Sequence, residues 1–182
     1  SIDGNVVETL NISGSGDATF VLPVGPSLTT IDASAATGDL TIGITANDVA
    51  FTGGSGDDGI TMSSSSLDED DTIDGGAGAD TLTLTASTNA YASVTDSTTE
   101  TLAVSNIETL ALTVGANGDA IDFDLFASPT DFTKVALTST ADAANITLTD
   151  IQTDHVTVRN TNDGTDAETL NALTYDKKDS TG

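Results

Sequence analysis

The sequence predicts an all-β fold and, within that class, a parallel β-solenoid. Short stretches alternate apolar residues with threonine, the strand seeds recur along the chain, and aromatic residues make up only 4% of the 182. Alternation with a period of two describes a strand with one buried and one wet face. Recurrent short strands suit a coil in which each rung buries its apolar face only against its neighbours. Small and aliphatic side chains fill such a narrow coil, whereas a β-sandwich, the competing all-β architecture, usually packs larger rings.

The pattern opens with NVVETLNI (5–12) and returns in DLTIGIT (39–45), DTLTLTA (80–86), ETLALTV (108–114), NITLTD (145–150) and HVTVRN (155–160). Glu-Thr-Leu itself occurs at 8–10, 100–102, 108–110 and 168–170. Threonine is β-branched and polar, so it suits the wet face of a strand. Its rungs here are too irregular for an ordered ice-binding array. Clusters of Gly, Asp, Ser and Asn, all turn formers, separate the strands. No stretch sustains an amphipathic helix. IDFDLFASPTDF (121–132) can form one helical turn before Pro129 ends it. Pro129 and NTNDGTDAE (160–168) are the expected breaks, and KKDSTG reads as an exit linker.

Twenty-nine acidic residues against four Lys and Arg give a formal net charge of -25. Repulsion excludes nucleic acid and anionic membranes as partners. No apolar run approaches the length of a membrane span, so membrane insertion is not expected. The chain opens SIDGNV, without Met, and is expected to be a soluble mature or excised segment. Cysteine is absent, which removes disulfides and thiolate metal sites. Bound cations are the expected counterweight to the charge.

An enzyme is not expected. His155 stands alone in a strand pattern, and Lys134, Arg159, Lys177 and Lys178 leave little to neutralise an acidic sugar substrate. Tyr91 and Tyr175 are the only tyrosines and lie far apart. The sequons at Asn11 and Asn145 fall inside strand patterns and carry no expectation of glycosylation.

Two turns stand out, GGSGDDGIT (53–61) and GGAGADTLT (75–83). Glycine permits positive φ and lets carbonyl groups point inward. Asp58 or Asp80 then adds a hard anionic oxygen, and Ile60 or Leu82 enters the coil. Both stretches resemble the calcium-binding nonapeptide G-G-x-G-x-D-x-U-x of the repeats-in-toxin family. Residues 28–62, with the DTIDGGAGADTLTLTAS that follows, are similar to the degenerate solenoid modules of bacterial surface-layer and large secreted repeats-in-toxin proteins, and the likeness covers about residues 1–115.

That resemblance implies a parallel β-solenoid (β-roll or β-helix) with calcium-binding Gly-Asp turns. Calcium takes about six to eight oxygen ligands, more than one turn supplies, so stacked turns share an ion. The two motifs start 22 residues apart, one coil plus the insertion SSSSLDEDD (63–71). Asp58 and Asp80 are thus expected across one ion, with carbonyls of Gly53, Ser55, Gly56, Gly75, Ala77 and Gly78, and with Asp57, Asp71 and Asp74 assisting. A weaker echo at Asp17 reads as a turn only, and the similar GANGDAID (115–122) could hold an ion through Asp119 or Asp122. Residues 1–115 form the expected calcium-binding solenoid, and 116–182 either continue its rungs or make a small C-terminal lobe.

The expected function is a structural calcium-binding domain of an extracellular surface-layer or surface-assembly protein, secreted to the cell surface, folding and assembling on calcium. Its partners would be neighbouring copies in an oligomer or lattice, and cell-surface polysaccharide. The alternative is a calcium-dependent adhesin or carbohydrate-binding module of a large secreted protein of that family.

Overall fold

The computed structural model describes residues 7–22, 27–45, 48–64, 66–85, 101–114, 117–129, 131–139, 145–151, 157–162 and 172–177. Among these described residues fifteen strands follow one another: β1 (Thr9–Gly14), β2 (Ala18–Leu22), β3 (Thr30–Ala36), β4 (Leu40–Ile44), β5 (Ala50–Thr52), β6 (Gly59–Ser63), β7 (Thr72–Asp74), β8 (Thr81–Thr85), β9 (Ala103–Ser105), β10 (Thr109–Val114), β11 (Asn117–Asp122), β12 (Lys134–Ser139), β13 (Asn145–Ile151), β14 (Thr157–Asn162) and β15 (Ala172–Lys177). The one helical turn expected before Pro129 is a 3-10 turn, Phe123–Leu125.

Up to β13 every strand except β9 pairs with the next but one, and every pairing is parallel. Even strands form a seven-stranded sheet, β14-β12-β10-β8-β6-β4-β2. Odd strands form a five-stranded sheet, β1-β3-β5-β7-β9, and a three-stranded one, β11-β13-β15. The chain is therefore a β-solenoid, as the sequence predicts, with two strands to a rung. The sandwich alternative falls because neighbours in each sheet are parallel and one coil apart.

Alternation fixes which residues enter the coil. Ile31, Phe51, Ile73 and Val104 align along the odd sheet, and Ile42, Ile60, Leu82, Leu110 and Val135 along the even one. All are essentially inaccessible. Each such aliphatic side chain contributes about 1.5–3 kcal/mol by burial. Ile60 and Leu82 thus occupy the inward positions expected of them. Past β9 the five-stranded sheet gives way to the 3-10 turn. Leu102 bridges Phe126 in parallel, its amide donates to the Leu125 carbonyl at 2.7 Å, and Phe123, Phe126 and Phe132 pack ring to ring with centroids 5.0–5.9 Å apart.

The two edges of the coil differ. Turns from odd to even strands take three, three, six, six and three residues between β1 and β10, whereas the return connections from even to odd take seven, five, eight and seventeen up to β9. Between β1 and β10 the insertions thus fall on the return edge; further on, eleven residues (123–133) join odd β11 to even β12. SSSSLDEDD lies on the return edge, but Leu67, Ser64 and Asp71 within it are buried, so it is partly tucked into the core.

Candidate metal centre

The turns 53–58 and 75–80 join β5 to β6 and β7 to β8, and the parallel register stacks them, Gly59 opposite Thr81 and Thr52 opposite Asp74. Main-chain hydrogen bonds tie them together: Gly53 N donates to the Asp74 carbonyl (2.8 Å), Ala77 N to that of Gly54 (2.9 Å) and Thr81 N to that of Asp58 (2.8 Å). Glycine is required by this approach. A Cβ on Gly53 would strike the Gly75 carbonyl oxygen and stand 2.9 Å from Asp58 Oδ2; one on Gly75 would strike the Asn106 carbonyl oxygen and stand 2.7 Å from Asp80 Oδ2. Each position thus pairs a carboxylate oxygen with a carbonyl oxygen of the following rung around a spot that no side chain fills.

Two rows of acids run up this edge. In the outer row Asp39 N donates to Asp17 Oδ1 (3.0 Å), Asp57 N to Asp39 Oδ1 (2.9 Å) and Ala79 N to Asp57 Oδ1 (2.9 Å). In the inner row the direction reverses: Leu40 N donates to Asp58 Oδ1 (2.9 Å), Asp58 N to Asp80 Oδ1 (2.7 Å) and Asp80 N to Glu108 Oε2 (2.7 Å). Asp58 Oδ2 also accepts from Gly54 N at 3.1 Å. The equivalent amide of the next turn goes elsewhere. Gly76 sits at φ +94° and donates to Asp74 Oδ1 at 3.1 Å, which also accepts from Asn106 Nδ2 at 2.7 Å.

Asp80 Oδ2 is consequently buried without a hydrogen-bond partner, on a residue with no exposed surface. Burial, reinforced by the charges of Asp58, Glu108 and Asp57 and opposed by the Asp58 amide, pushes its pKa up to about 6. A carboxylate lacking a partner in such a place carries a desolvation cost that a proton or a cation would relieve. The donor set suits a hard cation: oxygen only, carboxylates and carbonyls together.

Gly53, Ser55, Gly56, Asp57, Asp58, Asp74, Gly75, Ala77, Gly78 and Asp80 all come together on this one edge in adjacent rungs. Asp58 and Asp80 are buried, Asp74 is half-buried, and Asp57 is exposed in the outer row. Asp71 does not join them. Since β7 carries the chain across the sheet in three residues, Asp71 lies on the return edge, where its carboxylate accepts from Val49 N (2.7 Å) and Asp68 N (3.1 Å) and burial raises its pKa. Asp17, expected only as a turn residue, is the first member of the outer row. The side chain of Asp119 and all of His155 lie outside the described residues.

Glu108, Asn106 and Asp39 are site residues that the glycine motif does not contain. A signal for them exists: an acid immediately precedes every even strand from β2 to β10, namely Asp17, Asp39, Asp58, Asp80 and Glu108. Two further acidic groups lie outside this edge. Carboxylate oxygens of Asp48, Asp68 and Asp70, and of Asp122, Asp124 and Asp150, come within 4.8 Å of one another and could hold a metal ion. A groove of about 330 Å³, floored by Gly43, Thr61 and Met62, opens near the far ends of β4, β6 and β8, away from the acid rows. No protein-family model, curated protein or solved structure matches the chain.

Proposed function

We propose that this chain is a calcium-stabilised structural solenoid of an extracellular surface layer or surface assembly, of the repeats-in-toxin kind. The observation that carries the reading is the partnerless, buried Oδ2 of Asp80 within stacked Gly-Asp turns. Asp58 and Asp80, with the carbonyls of Gly75 and Asn106 beside them, would hold the ion. When bound, calcium supplies positive charge between rungs whose acids otherwise repel. A ligand that binds the folded chain alone stabilises it by mass action. In a calcium-poor cytosol the segment would stay loose, and outside the cell it would set. The net charge of -25 and the lack of cysteine suit ions in the place of disulfides.

A calcium titration followed together by circular dichroism and light scattering, with magnesium as control, tests this. A calcium-specific gain of β signal and of particle size is expected. A chain fully folded and equally stable in chelator would overturn it. A calcium-responsive monomer that binds glycans on an array would instead be a calcium-dependent adhesin.

A further inference from the structure

The outer face of the seven-stranded sheet is chemically unlike the rest of the molecule. From β2 to β12 its outward positions hold mostly threonine, one lysine (Lys134) and, among the described residues, not one acid, although the chain has 29. The five-stranded sheet, by contrast, turns Asp32 and Asp74 outward. The threonines stand in register, Thr19 beside Thr41, Thr61 beside Thr83 and Thr81 beside Thr109. Two glycines interrupt them, Gly43 on β4 and Gly59 on β6, diagonal neighbours on adjacent strands. Glycine inside a strand gives up stability relative to alanine, and it often marks a bulge or the close approach of another group. Nothing within the described chain demands it at either position. Both glycines pair in unbroken register, neither has a positive φ, and an added Cβ would find nothing nearer than 3.9 Å at Gly43 or 3.8 Å at Gly59. The turn glycines Gly53 and Gly75 are the opposite case, since carbonyl groups fill that space.

Gly43 floors the groove of about 330 Å³ that opens on this face. Thr45, Thr61, Ser63, Ser66 and Thr85 surround it with hydroxyl groups, and no charged side chain lines it among the described residues. The hydroxyls of Thr45 and Thr85 donate to the Leu22 and Met62 carbonyls, at 2.9 and 3.3 Å, which leaves their oxygens to accept from a ligand. Such a lining selects by chemistry. An anion would meet the field of a chain at net charge -25. A cation finds no carboxylate in the groove and two rows of them elsewhere. A wholly apolar ligand would strip water from the hydroxyls and return no hydrogen bond. A neutral ring bearing several hydroxyls matches both the threonine methyls and their oxygens, and the volume lies at the small end of ligand pockets. We infer that this groove binds a neutral sugar unit, free or within a neutral polysaccharide, and that Gly43 is bare so that the ring can lie against the strand.

The inference goes beyond the calcium reading and uses none of its residues. Neutral gluco-, galacto- and manno-oligosaccharides, with the free monosaccharides and uronate-containing oligosaccharides beside them, are titrated into the whole chain in calcium and followed by saturation-transfer NMR and calorimetry. A neutral sugar should bind and the uronates should not. Gly43→Thr fills the floor of the groove, and its first added carbon has room. It should weaken binding by roughly tenfold or more, with the circular dichroism spectrum and the sedimentation coefficient unchanged. Thr61→Val keeps the shape of the wall and removes a hydroxyl, so it should weaken binding too, and it decides the matter if Gly43→Thr disturbs the spectrum. Binding of the free ring assigns a soluble sugar and binding that needs linked rings a polysaccharide; both uphold the groove. No neutral sugar bound, uronates bound equally well, or both variants binding as the parent does would each overturn the inference. So would a Gly43→Thr variant that loses self-association in a parent blind to sugars, which would give the groove to a second copy. Calcium-specific folding with no sugar bound removes this inference and leaves the calcium site intact; sugar bound by a chain fully folded and equally stable in chelator does the reverse.

Discussion

The backbone amide of Asp58 donates to Oδ1 of Asp80 across 2.7 Å, so the side chain of one rung completes the main chain of the rung before it. Because the same arrangement joins Leu40 to Asp58 and Asp80 to Glu108, the inner acids serve as acceptors for amides that a turn would otherwise leave unpaired. Asp58 and Asp80 differ in one atom: both oxygens of Asp58 are used, and one of Asp80 is not.

Replacing Asp80 with Asn should therefore separate charge from hydrogen bonding. The amide oxygen can still accept from Asp58 N, while the buried negative charge disappears. In chelator the variant should be more stable than the parent by about 1–2 kcal/mol, and calcium should no longer stabilise it. Urea denaturation with and without calcium reads both effects. A variant less stable than the parent in chelator would mean that the charge of Asp80 is already compensated.

The pH dependence of the metal-free chain follows from the same group. A carboxyl whose folded pKa is about 6 and whose unfolded pKa is near the ordinary 3.8 holds its proton longer when folded. Stability should then fall as pH rises from about 4 to 6, with the loss complete above that window. Asp71, raised by burial, acts in the same direction. For Asp80 the change is about 1–2 kcal/mol after allowance for screening at this edge. Melting temperature against pH in chelator checks the sign, and Asp80→Asn should flatten the slope.

Asp58→Ala and Asp57→Ala form a contrasting pair on adjacent residues. Loss of Asp58 orphans the amides of Leu40 and Gly54 in a buried setting, at a cost of about 2–4 kcal/mol. Asp57 serves the exposed outer row, where water can replace it, and its loss should cost less than about 1 kcal/mol. Equal costs would show that burial does not distinguish the rows.

Gly75→Ala should destabilise by more than about 3 kcal/mol, since the new methyl group meets the Asn106 carbonyl and the Asp80 carboxylate. Gly16, on the same edge, has nothing within 4 Å of the added carbon, so Gly16→Ala should be neutral within about 0.5 kcal/mol. Thermal denaturation of the two variants side by side is sufficient.

Much of this architecture was legible in the sequence, and the reasons for the rest are physical. The six alternating stretches lie in or overlap β1, β4, β8, β10, β13 and β14. Strands β5, β7 and β9 escape pattern reading because each is three residues long with a single inward side chain, Phe51, Ile73 or Val104; one residue has no period. The glycine turns announce their own stacking. The acid rows do not, since Asp58 finds Asp80 22 residues on and Asp80 finds Glu108 28 residues on, and those distances are set by insertions on the opposite edge. NTNDGTDAE was expected to break the pattern from residue 160, but β14 runs on to Asn162 because Thr161 and Asn162 pair with Thr138 and Ser139.

The placing of insertions on one edge between β1 and β10 has an evolutionary consequence. Segments of very different length can be accepted, lost or exchanged there without resetting the register of either sheet, because that register is keyed along the opposite edge by Asp17, Asp39, Asp57, Asp58 and Asp80. Between β1 and β10 all such connections start and end on the same side of the coil. A chain of this design can therefore vary what it displays, in single file and at a spacing of about 4.8 Å per rung, while its scaffold stays constant.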